Sequence, residues 1–265
     1  MGSSSAMSNL KVSLIQSIIH WEDRAANLEH FSQRLDEIEG SDLIVLPETF
    51  STGFSMKSTE LAESGIGESL QWMKQKAKEK NAAIVASFLA EEGGRYYNRL
   101  HFVEPSGKIQ IYNKRHLFTM AEEHLHYTAG EEVLNINYKG WRIRPLVCYD
   151  LRFPVWSRNR ADYDLLIYIA NWPKPRRNAW DILLKARAIE NYSYCIGVNR
   201  VGSDGTGKEY SGGSAVIDAK GHELLQLKDN EEGSGSATLS LEDLEAYRAK
   251  FPVHQDADNF DLRIT

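Results

Sequence analysis

The amino-acid sequence predicts an α/β fold in which sheets are covered by helices. Short segments rich in aliphatic and β-branched residues recur along the 265 residues, and each has the length of a strand. Longer segments with apolar residues at helical spacing lie between several of them. Two strand-like segments, LIVLP and LLIYIA, lack alternation of apolar and polar residues, which is typical of strands buried on both faces. These observations favour a single mixed α/β domain without an internal linker.

The predicted strands follow one another along the whole chain. In the first half they are KVSLIQ from Lys11, DLIVLP from Asp42, AAIVASFLA from Ala82, RLHFV from Arg99 and KIQIY from Lys108. In the second half they are RIRPLVC from Arg142, DLLIYIANW from Asp164, YCIGVNRV from Tyr194, GSAVID from Gly213 and HELLQL from His222. The clusters EEGG, PSGK and DAKG are turn signals, so they predict hairpins between neighbouring strands.

Helices are predicted for the longer segments between these strands. Residues 22–39 place Phe31, Leu35 and Ile38 on one stripe, and GESLQWMKQKAKEK forms a second helix. A third helix is predicted over residues 178–192, with an apolar stripe made of Ile182, Leu183, Ala186 and Ile189. The two halves of the sequence share this order of strands, helices and hairpins, which is compatible with two packed sheets flanked by helices.

The composition argues against several classes of protein. Hydrophobic content of 42% and charged content of 26% are ordinary for a soluble globular protein. The net charge of -6 offers no basic face for nucleic acid. The longest apolar runs have the length of strands, so we expect no contact with a membrane. A small-molecule ligand remains the expected partner.

The N-terminus and the cysteines bear on processing and compartment. Residues 1–6, MGSSSA, resemble an expression scar, which leaves residues 7–265 as the native domain, with no signal peptide after Met7. Cys148 and Cys195 stand too far apart in sequence for a CxxC metal or redox pair, and two cysteines make no disulfide framework. We therefore expect a reducing, cytoplasmic compartment and no metal site. Cys195 lies inside an apolar strand and is expected to fill core volume.

A glycine-rich segment, GSDGTGKEYSGG, invites interpretation as a phosphate-binding loop. The pattern fits Gly202 through Lys208 and then fails, because Glu209 replaces the hydroxyl residue that would hold magnesium. The segment also continues into a strand rather than a helix. A flexible hairpin loop is therefore the prediction.

Reactive side chains stand where predicted strands end. Cys148 ends an apolar run in RPLVCYDLRFP, Glu48 ends DLIVLPE, Lys114 follows KIQIY, and Glu123 lies in the loop TMAEEHLHYTAG. A free thiol has a pKa of about 8.5, so a nucleophilic cysteine needs a base or a cationic neighbour. Taken singly, the cysteine is also compatible with core packing and each charged residue with a solvated surface position.

Taken together and in order, LIVLPE, YNKRHLF and LVCYDLRFP resemble the nitrilase superfamily of carbon–nitrogen hydrolases. The resemblance extends over nearly the whole chain from Met7 and includes DLLIYIANWP, KARAIEN, CIGVNRVG, SGGSAVID and the tail FPVHQDADNFDL. It implies a four-layer α-β-β-α sandwich, often paired as homodimers through the face near the nucleophile helix.

The resemblance also implies a catalytic set. Cys148 would be the nucleophile, and Glu48 the general base that takes its proton. The ammonium of Lys114 and the backbone N–H of Tyr149 would hold the oxyanion. Glu123 matches a second glutamate of many members and would orient Lys114 and the amide nitrogen of the substrate. No metal or organic cofactor is implied.

The segment NWPKPRRNAW most resembles the bacterial omega-amidases, which act on 2-oxoglutaramate and 2-oxosuccinamate. A deaminated-glutathione amidase, a carbamoylase or a nitrilase of the same superfamily is the first alternative. A catalytically idle binding member and a histidine-based cysteine hydrolase are the others. Ammonia-release assays would separate the amidases, and His→Ala substitutions would test the histidine mechanism.

An omega-amidase must also hold the carboxylate of its substrate. Arg176 and Arg177 stand just before the predicted helix at residue 178, where a helix N-terminus already carries partial positive charge. Cations at that end of a helix cost stability unless an anion joins them. Arg176 is therefore expected to bind the carboxylate, with Trp172 as a wall of the pocket. Solvation, or pairing with an acid such as Asp181, is the alternative for both arginines. Arg152 is expected to form a buried ion pair that fixes the turn after the nucleophile.

Overall fold

The computed structural model describes residues 9–264, so the predicted scar at residues 1–6 lies outside the described residues. Its strands are β1 Asn9–Gln16, β2 Leu43–Val45, β3 Ala83–Glu92, β4 Arg95–Val103, β5 Ile109–Asn113, β6 Ile136–Tyr138, β7 Trp141–Val147, β8 Leu165–Ala170, β9 Tyr194–Asn199, β10 Val201–Ser203, β11 Glu209–Ser211, β12 Ala215–Ile217, β13 Glu223–Gln226 and β14 Gly233–Ser240. Its α-helices are α1 Arg24–Asp36, α2 Ser58–Leu61, α3 Glu68–Lys80, α4 Glu123–His126, α5 Pro154–Ser157, α6 Arg177–Asn191 and α7 Leu241–Lys250. Each predicted strand and each predicted helix is confirmed.

Two six-stranded sheets organise these elements, with orders β14-β1-β2-β3-β4-β5 and β13-β12-β9-β8-β7-β6. In each sheet the three consecutive strands β1-β2-β3 or β7-β8-β9 are parallel, and all other pairs are antiparallel. β10 and β11 form a separate hairpin. The predicted hairpins at EEGG, PSGK and DAKG join β3 to β4, β4 to β5 and β12 to β13. The two halves of the chain therefore repeat one topology.

The sheets pack face to face, and helices cover their outer faces. β1 lies against β9 and β4 against β7. In β2, Leu43 and Val45 belong to the cluster shared with the second sheet, whereas Ile44 packs on the outer side in the cluster that contains α1 and α3. An apolar residue is therefore required at every position of β2, which is why its sequence does not alternate. The layers are helix, sheet, sheet, helix, as the resemblance implies.

The outer layer on the second sheet is α6, and its buried face differs from the predicted stripe. Ile182 and Ile189 are 57% and 47% exposed, whereas Trp180, Leu184 and Ala188 are buried against the sheet. The predicted stripe is wrong for Ile182 and Ile189, whereas its member Leu183 packs partly buried against the core. The helix carries apolar residues on two faces, and periodicity alone does not choose between them. The face at spacing four is chosen because it fits the surface of β9.

That fit depends on a glycine in β9. A Cβ atom at Gly197 would lie 2.4 Å from Leu184 Cδ1 and 2.7 Å from Trp180 Cζ2. The indole of Trp180 also donates a hydrogen bond to the carbonyl of Gly213 at 2.8 Å. The helix α6 therefore lies so close to β9 that no side chain fits at the position of Gly197. None of the helices within residues 9–264 is both long and apolar enough to cross a membrane.

Candidate active site

Four polar side chains meet where the carboxyl ends of strands from both sheets come together. Glu48 lies beyond β2 and Lys114 directly follows β5, while Cys148 follows β7 and Asn171 follows β8 in the second sheet. β5 has the same direction as β2 because two antiparallel pairings separate it from β3. All of these side chains are buried. The topology thus brings residues distant in sequence to one edge of the sandwich.

Lys114 lies between two buried carboxylates. Its Nζ atom is 3.0 Å from Glu48 Oε1, and 3.0 Å and 2.9 Å from the two carboxylate oxygens of Glu123. The lysine side chain is 1% exposed, so these oxygens replace water as its partners. The main chain positions Lys114 too, because Gly130 N donates to its carbonyl at 2.9 Å. A Cβ atom at Gly130 would lie 2.1 Å from Asn113 O, so this close approach requires glycine.

The charges of this cluster determine its protonation. Burial acts to lower the pKa of Lys114, but the charges of Glu123 and Glu48 outweigh it and hold that pKa above its ordinary value. Burial raises the pKa of Glu123, with Lys114 opposing and Glu48 adding to the effect. Lys114 is therefore a permanent cation at neutral pH, held in a buried site where charges interact more strongly than in bulk water.

Cys148 occupies a sharp turn at the end of β7. Its φ is 45°, in the left-handed region, and it begins a short 3₁₀ helix over Cys148–Arg152. Such a conformation costs energy for a residue with a Cβ atom and persists only where surrounding contacts impose it. Sγ lies 3.9 Å from the carbonyl oxygen of Asn171. Cys148 is thus displayed at the turn, not packed within the strand.

The contacts that impose this turn converge on Asp150. Its Oδ2 accepts hydrogen bonds from Val147 N at 3.0 Å and Tyr112 Oη at 2.7 Å. Its Oδ1 lies 2.9 Å from the backbone N of His116 and 2.8 Å from the Nδ1 atom of the same residue. Asp150, and not the expected ion pair of Arg152, therefore fixes the turn. Arg152 is exposed and lies over the ring of Trp172 at 4.9 Å, so that prediction was wrong.

The thiol of Cys148 is neutral in the free protein. Burial raises its pKa most, the charge of Glu48 raises it further, and Lys114 opposes both. A raised pKa means that the thiol holds its proton at neutral pH until an acceptor takes it. Cys195, by contrast, lies fully buried within β9, and its pKa is raised by burial. The core position expected for Cys195 is confirmed.

Two asparagines that sequence reasoning missed hold the carboxylate of Glu48. Asn98 Nδ2 donates to Glu48 Oε1 at 2.7 Å, and the backbone N of Asn171 donates to Oε2 at 2.8 Å. Asn171 Nδ2 also donates to the carbonyl of Glu48 at 2.7 Å and to Thr49 Oγ1 at 2.9 Å. The signal that could have found them is an asparagine within a buried strand or at its end, where an amide needs a polar partner.

Glu123 does not lie in a loop, because it begins α4 and is fully buried. The backbone N of Phe118 donates to its Oε2 at 2.6 Å. The segment before α4 therefore closes over the carboxylates, and Phe118, Met120 and Ala121 of this segment line the cavity above Cys148.

A cavity of about 150 Å³ opens over Cys148. The side chains that line it are Glu48, Phe54, Lys114, Phe118, Met120, Ala121, Cys148, Tyr149, Arg152, Asn171, Trp172, Pro173, Arg176, Lys208 and Tyr210. All the expected site residues are among them except Glu123, which contacts Lys114 but does not line the cavity. Within residues 9–264 no group of three or more histidine, cysteine or acidic side chains could hold a metal ion.

The glycine-rich segment, GSDGTGKEYSGG, contributes two side chains to this cavity. It is the predicted hairpin, formed by β10 and β11, and it presents Lys208 and Tyr210 to the cavity. Asp204 holds the turn by accepting hydrogen bonds from Thr206 N at 2.8 Å, Lys208 N at 3.1 Å and Tyr210 Oη at 2.7 Å. Neither lining residue is predictable from the sequence, because only the tertiary packing of the hairpin brings Lys208 and Tyr210 to the cavity.

The two arginines of NWPKPRRNAW have different surroundings. Arg177 Nε is 2.7 Å from Asp181 and its Nη1 is 2.8 Å from Asp229, so the expected alternative of pairing with Asp181 holds for Arg177. Arg176 lines the cavity, and its guanidinium lies 5.2 Å from the ring of Phe118. Trp172 is buried beside it and donates through Nε1 to the carbonyl of Arg176 at 2.8 Å.

Comparison with known proteins places this site in context. The sequence profile described as carbon-nitrogen hydrolase matches residues 11–249. The chain is 49% identical over 258 residues to omega-amidase YafV of Escherichia coli K12, covering 97% of this chain and 100% of that protein. It is 35% identical over 225 residues to the 2-oxoglutaramate amidase of Bacillus subtilis, covering 83% and 86%.

A solved structure is similar over nearly the full length. It is a carbon–nitrogen hydrolase superfamily protein of Xanthomonas campestris with an arsenic adduct in its active site, 43% identical with a TM-score of 0.95, covering 97% of this chain and 100% of that one. Nit3 of Saccharomyces cerevisiae, a nitrilase superfamily member, shares the fold at 24% identity with a TM-score of 0.84, covering 95% and 98%.

Proposed function

This chain, which belongs to the carbon–nitrogen hydrolase family, is an amide-hydrolysing enzyme, and we propose the substrate and the residues that act on it. It is an omega-amidase, which hydrolyses the terminal amide of a small omega-amido 2-oxo acid such as 2-oxoglutaramate or 2-oxosuccinamate, releasing the dicarboxylate and ammonia. The observation that carries the assignment of residues is the cluster of Lys114 between two buried carboxylates, beside a cysteine on a strained turn.

The first half of the reaction forms a thioester. Glu48 accepts the proton of the Cys148 thiol as Sγ attacks the amide carbon, since the raised pKa of the thiol leaves it protonated beforehand. The carbonyl oxygen becomes an oxyanion, which the ammonium of Lys114 and the backbone N–H of Tyr149 stabilise. The C–N bond then breaks, and Glu48 gives its proton to the leaving nitrogen. Ammonia departs, and the acyl group remains on Sγ.

The second half hydrolyses this thioester. Glu48, ionised again, takes a proton from a water molecule as its oxygen attacks the thioester carbon. Lys114 and the Tyr149 N–H stabilise the second oxyanion as they did the first. The C–S bond breaks, Glu48 returns the proton to Sγ, and the carboxylic product leaves. Glu123 keeps Lys114 in position throughout, because both of its oxygens contact the ammonium.

Arg176 holds the carboxylate at the far end of the substrate, with Trp172 as the wall beside it. The support for this role is that Arg176 lines the cavity, whereas the guanidinium of Arg177 is occupied by Asp181 and Asp229. A guanidinium can donate two parallel hydrogen bonds to a carboxylate, which gives both affinity and orientation.

Ammonia release tests this function directly. We expect turnover of 2-oxoglutaramate and 2-oxosuccinamate at equal concentration to exceed that of glutamine and of a simple nitrile. Preference for the nitrile or for a carbamoyl substrate would assign the chain to another activity of the family. Absence of hydrolysis together with an unreactive Cys148 would indicate an idle binding member.

We propose further that residues 7–265 form one catalytic domain that acts as a homodimer in the cytoplasm. Support for the dimer comes from exposed aliphatic side chains on the helices beside the nucleophile turn: Val155 in α5 is 53% exposed, and Ile182 and Ile189 in α6 point outward. Light scattering of the purified protein should give twice the chain mass, and Ile182→Asp should lower it to the mass of one chain.

A further inference from the structure

The rim of the active-site cavity carries cations that have no acidic partner. Arg152, Arg176 and Lys208 all line it, and within residues 9–264 none of the three makes an ion pair. The side-chain ammonium of Lys208 donates to the neutral Thr206 hydroxyl at 2.9 Å, whereas its contact with Asp204 is made by the backbone N. Among the described side chains that line the cavity, Glu48 is the one carboxylate, and it is buried and paired with Lys114. Like charges held together repel, so such a rim favours an anionic ligand.

Aromatic rings hold the two guanidiniums in place. Arg152 Cζ lies 4.9 Å from the ring of Trp172, and Arg176 Cζ lies 5.2 Å from the ring of Phe118. Trp172, which lies under Arg152, also donates a hydrogen bond through Nε1 to the carbonyl of Arg176 at 2.8 Å, so one residue contacts both arginines. A guanidinium stacked on a ring keeps its N–H donors at its edge, where a ligand can use them. The pair is therefore organised before any substrate enters.

We propose that Arg152 determines specificity by donating a hydrogen bond to the 2-oxo oxygen of the substrate, while Arg176 binds the adjacent carboxylate. This inference rests on the proposed omega-amidase function and adds the residue that recognises the 2-position. Together with Lys208, the two arginines make a rim that accepts 2-oxo acids and rejects 2-amino acids.

The chemistry of the two ligand classes explains the selection. A 2-oxo acid presents only acceptors at this end, the oxo oxygen and the carboxylate oxygens, and all match guanidinium donors. Glutamine presents an ammonium group at the same position, which needs acceptors and carries a positive charge. The rim offers that ammonium group no free carboxylate and places cations beside it, and such a mismatch discriminates strongly between substrates.

Three substrates of equal length isolate the role of Arg152: 2-oxoglutaramate, glutaramate, which lacks any 2-substituent, and glutamine. We expect Arg152→Met to lower kcat/KM for 2-oxoglutaramate by about 30-fold or more, as for loss of a charged contact, and for glutaramate by less than about threefold. Arg152→Glu should raise kcat/KM for glutamine about tenfold or more above the wild-type value, because it supplies the missing acidic partner. Damage to the fold would not produce such a gain.

Lys174→Met is the matched control, because Lys174 is a nearby exposed cation that is paired with Glu209 and does not line the cavity. It should leave the ratio of the three substrates unchanged. Equal losses on 2-oxoglutaramate and glutaramate in Arg152→Met would overturn the proposal, since lost packing on Trp172 has that effect. So would failure of Arg152→Glu to gain on glutamine. If the wild-type enzyme turns over glutaramate but not 2-oxoglutaramate, the proposed function itself fails, and this inference with it.

Discussion

Cys148 combines a strained backbone with a buried, protonated thiol. The left-handed φ places Sγ outside the line of β7, and Asp150 maintains that turn through bonds on both sides of it. Burial suppresses the thiolate in the free enzyme, which protects the thiol until substrate and Glu48 act together. A second cysteine, Cys195, lies within a regular strand with its thiol fully buried, and burial raises its pKa against the opposing charge of Arg187.

The first prediction concerns this nucleophile. Incubation with a slowly hydrolysed amide, followed by mass spectrometry, should show an acyl adduct on Cys148 and none on Cys195. Cys148→Ala should abolish turnover with an unchanged circular dichroism spectrum. Because catalytic groups act as a unit, adding Glu48→Gln to Cys148→Ala should cost little more than either change alone. An adduct on Cys195, or substantial activity in Cys148→Ala, would refute the assignment.

Lys114 supplies a point charge at a fixed position, which leads to the second prediction. Its ammonium contacts Glu48 at 3.0 Å and Glu123 at 2.9 Å, and all three side chains are buried. Lys114→Arg should therefore lose nearly as much kcat as Lys114→Ala, because a planar guanidinium does not replace a compact ammonium. Recovery of most activity by arginine would show that any cation suffices there.

The third prediction tests Arg176. Breaking a charged contact to a carboxylate typically costs about 2–5 kcal/mol, which is about 30-fold to a few thousandfold in rate. Arg176→Met should reduce kcat/KM for 2-oxoglutaramate by at least the lower figure and leave a small uncharged amide nearly unaffected. Equal losses on both substrates would make the arginine structural. No loss on either would leave the carboxylate to another cation of the rim.

Helix α6 shows how packing between elements selects one of two apolar faces. Trp180 and Leu184 pack directly over Gly197 of β9, which has no side chain to displace them, and Ala188 is buried on the same face of the helix. The opposite face, with Ile182 and Ile189, remains exposed. The position of the helix thus depends on the missing side chain of Gly197 in β9 as well as on the residues of the helix itself.

The fourth prediction uses this fit. Gly197→Ala inserts a methyl group where Leu184 and Trp180 already fill the space, and overpacking of this kind costs about 1–3 kcal/mol of the free energy of unfolding. Urea denaturation should show a lower midpoint for Gly197→Ala. The control is Gly233→Ala, because no atom lies within 4 Å of a Cβ at that position. In a Leu184→Ala background, which removes the clashing side chain, Gly197→Ala should cost less than it does in the wild type. Equal midpoints for Gly197→Ala and Gly233→Ala would contradict this account.

Some elements are not visible in the sequence because they depend on a neighbour. β14 reads GSGSATLS, a polar, glycine- and serine-rich run typical of a loop. It becomes a strand by pairing along its whole length with β1, from Asn9 with Ser240 to Gln16 with Gly233. The hydrogen bonds of β1 need a partner on that side, and tertiary pairing overrides the weak local propensity.

Across the whole molecule, Asp164 ties the second sheet to α7. It accepts hydrogen bonds from Arg142 Nε at 2.9 Å and from Arg248 Nη1 at 2.6 Å, and its carbonyl accepts from Tyr194 N at 3.0 Å. Burial acts to raise its pKa, but the hydrogen bonds from Arg142 and Arg248 outweigh it and hold the pKa below the ordinary value of 3.8. A carboxylate with a lowered pKa in the folded state stabilises the fold above its unfolded-state pKa.

The fifth prediction follows from the sign of this shift. The stabilisation by Asp164 is present above pH 3.8 and is lost as pH falls through the lower folded-state value. Urea midpoints measured between pH 7 and pH 3 should therefore fall less steeply at the acid end in Asp164→Asn than in the wild type, while the variant is less stable at pH 7. Asp258→Asn, at an exposed position, should follow the wild-type profile. Parallel profiles for wild type and Asp164→Asn would contradict this account.

The sequence by itself determined the apolar strands, the main helices and the order of Glu48, Lys114 and Cys148, because these depend on local periodicity and on residue types at strand ends; the polar strand β14 and the short strand β6 were not predicted. Tertiary structure alone decided which side chains become hydrogen-bond or ion-pair partners. Asn98 and Asn171 become partners of Glu48, and the glycine-rich hairpin reaches the cavity. Arg177 is paired with acids, whereas Arg152 and Arg176 make no ion pair with any residue between 9 and 264. The physical reason is that hydrogen bonds and charge pairs depend on distances across two sheets, which no spacing along the chain encodes.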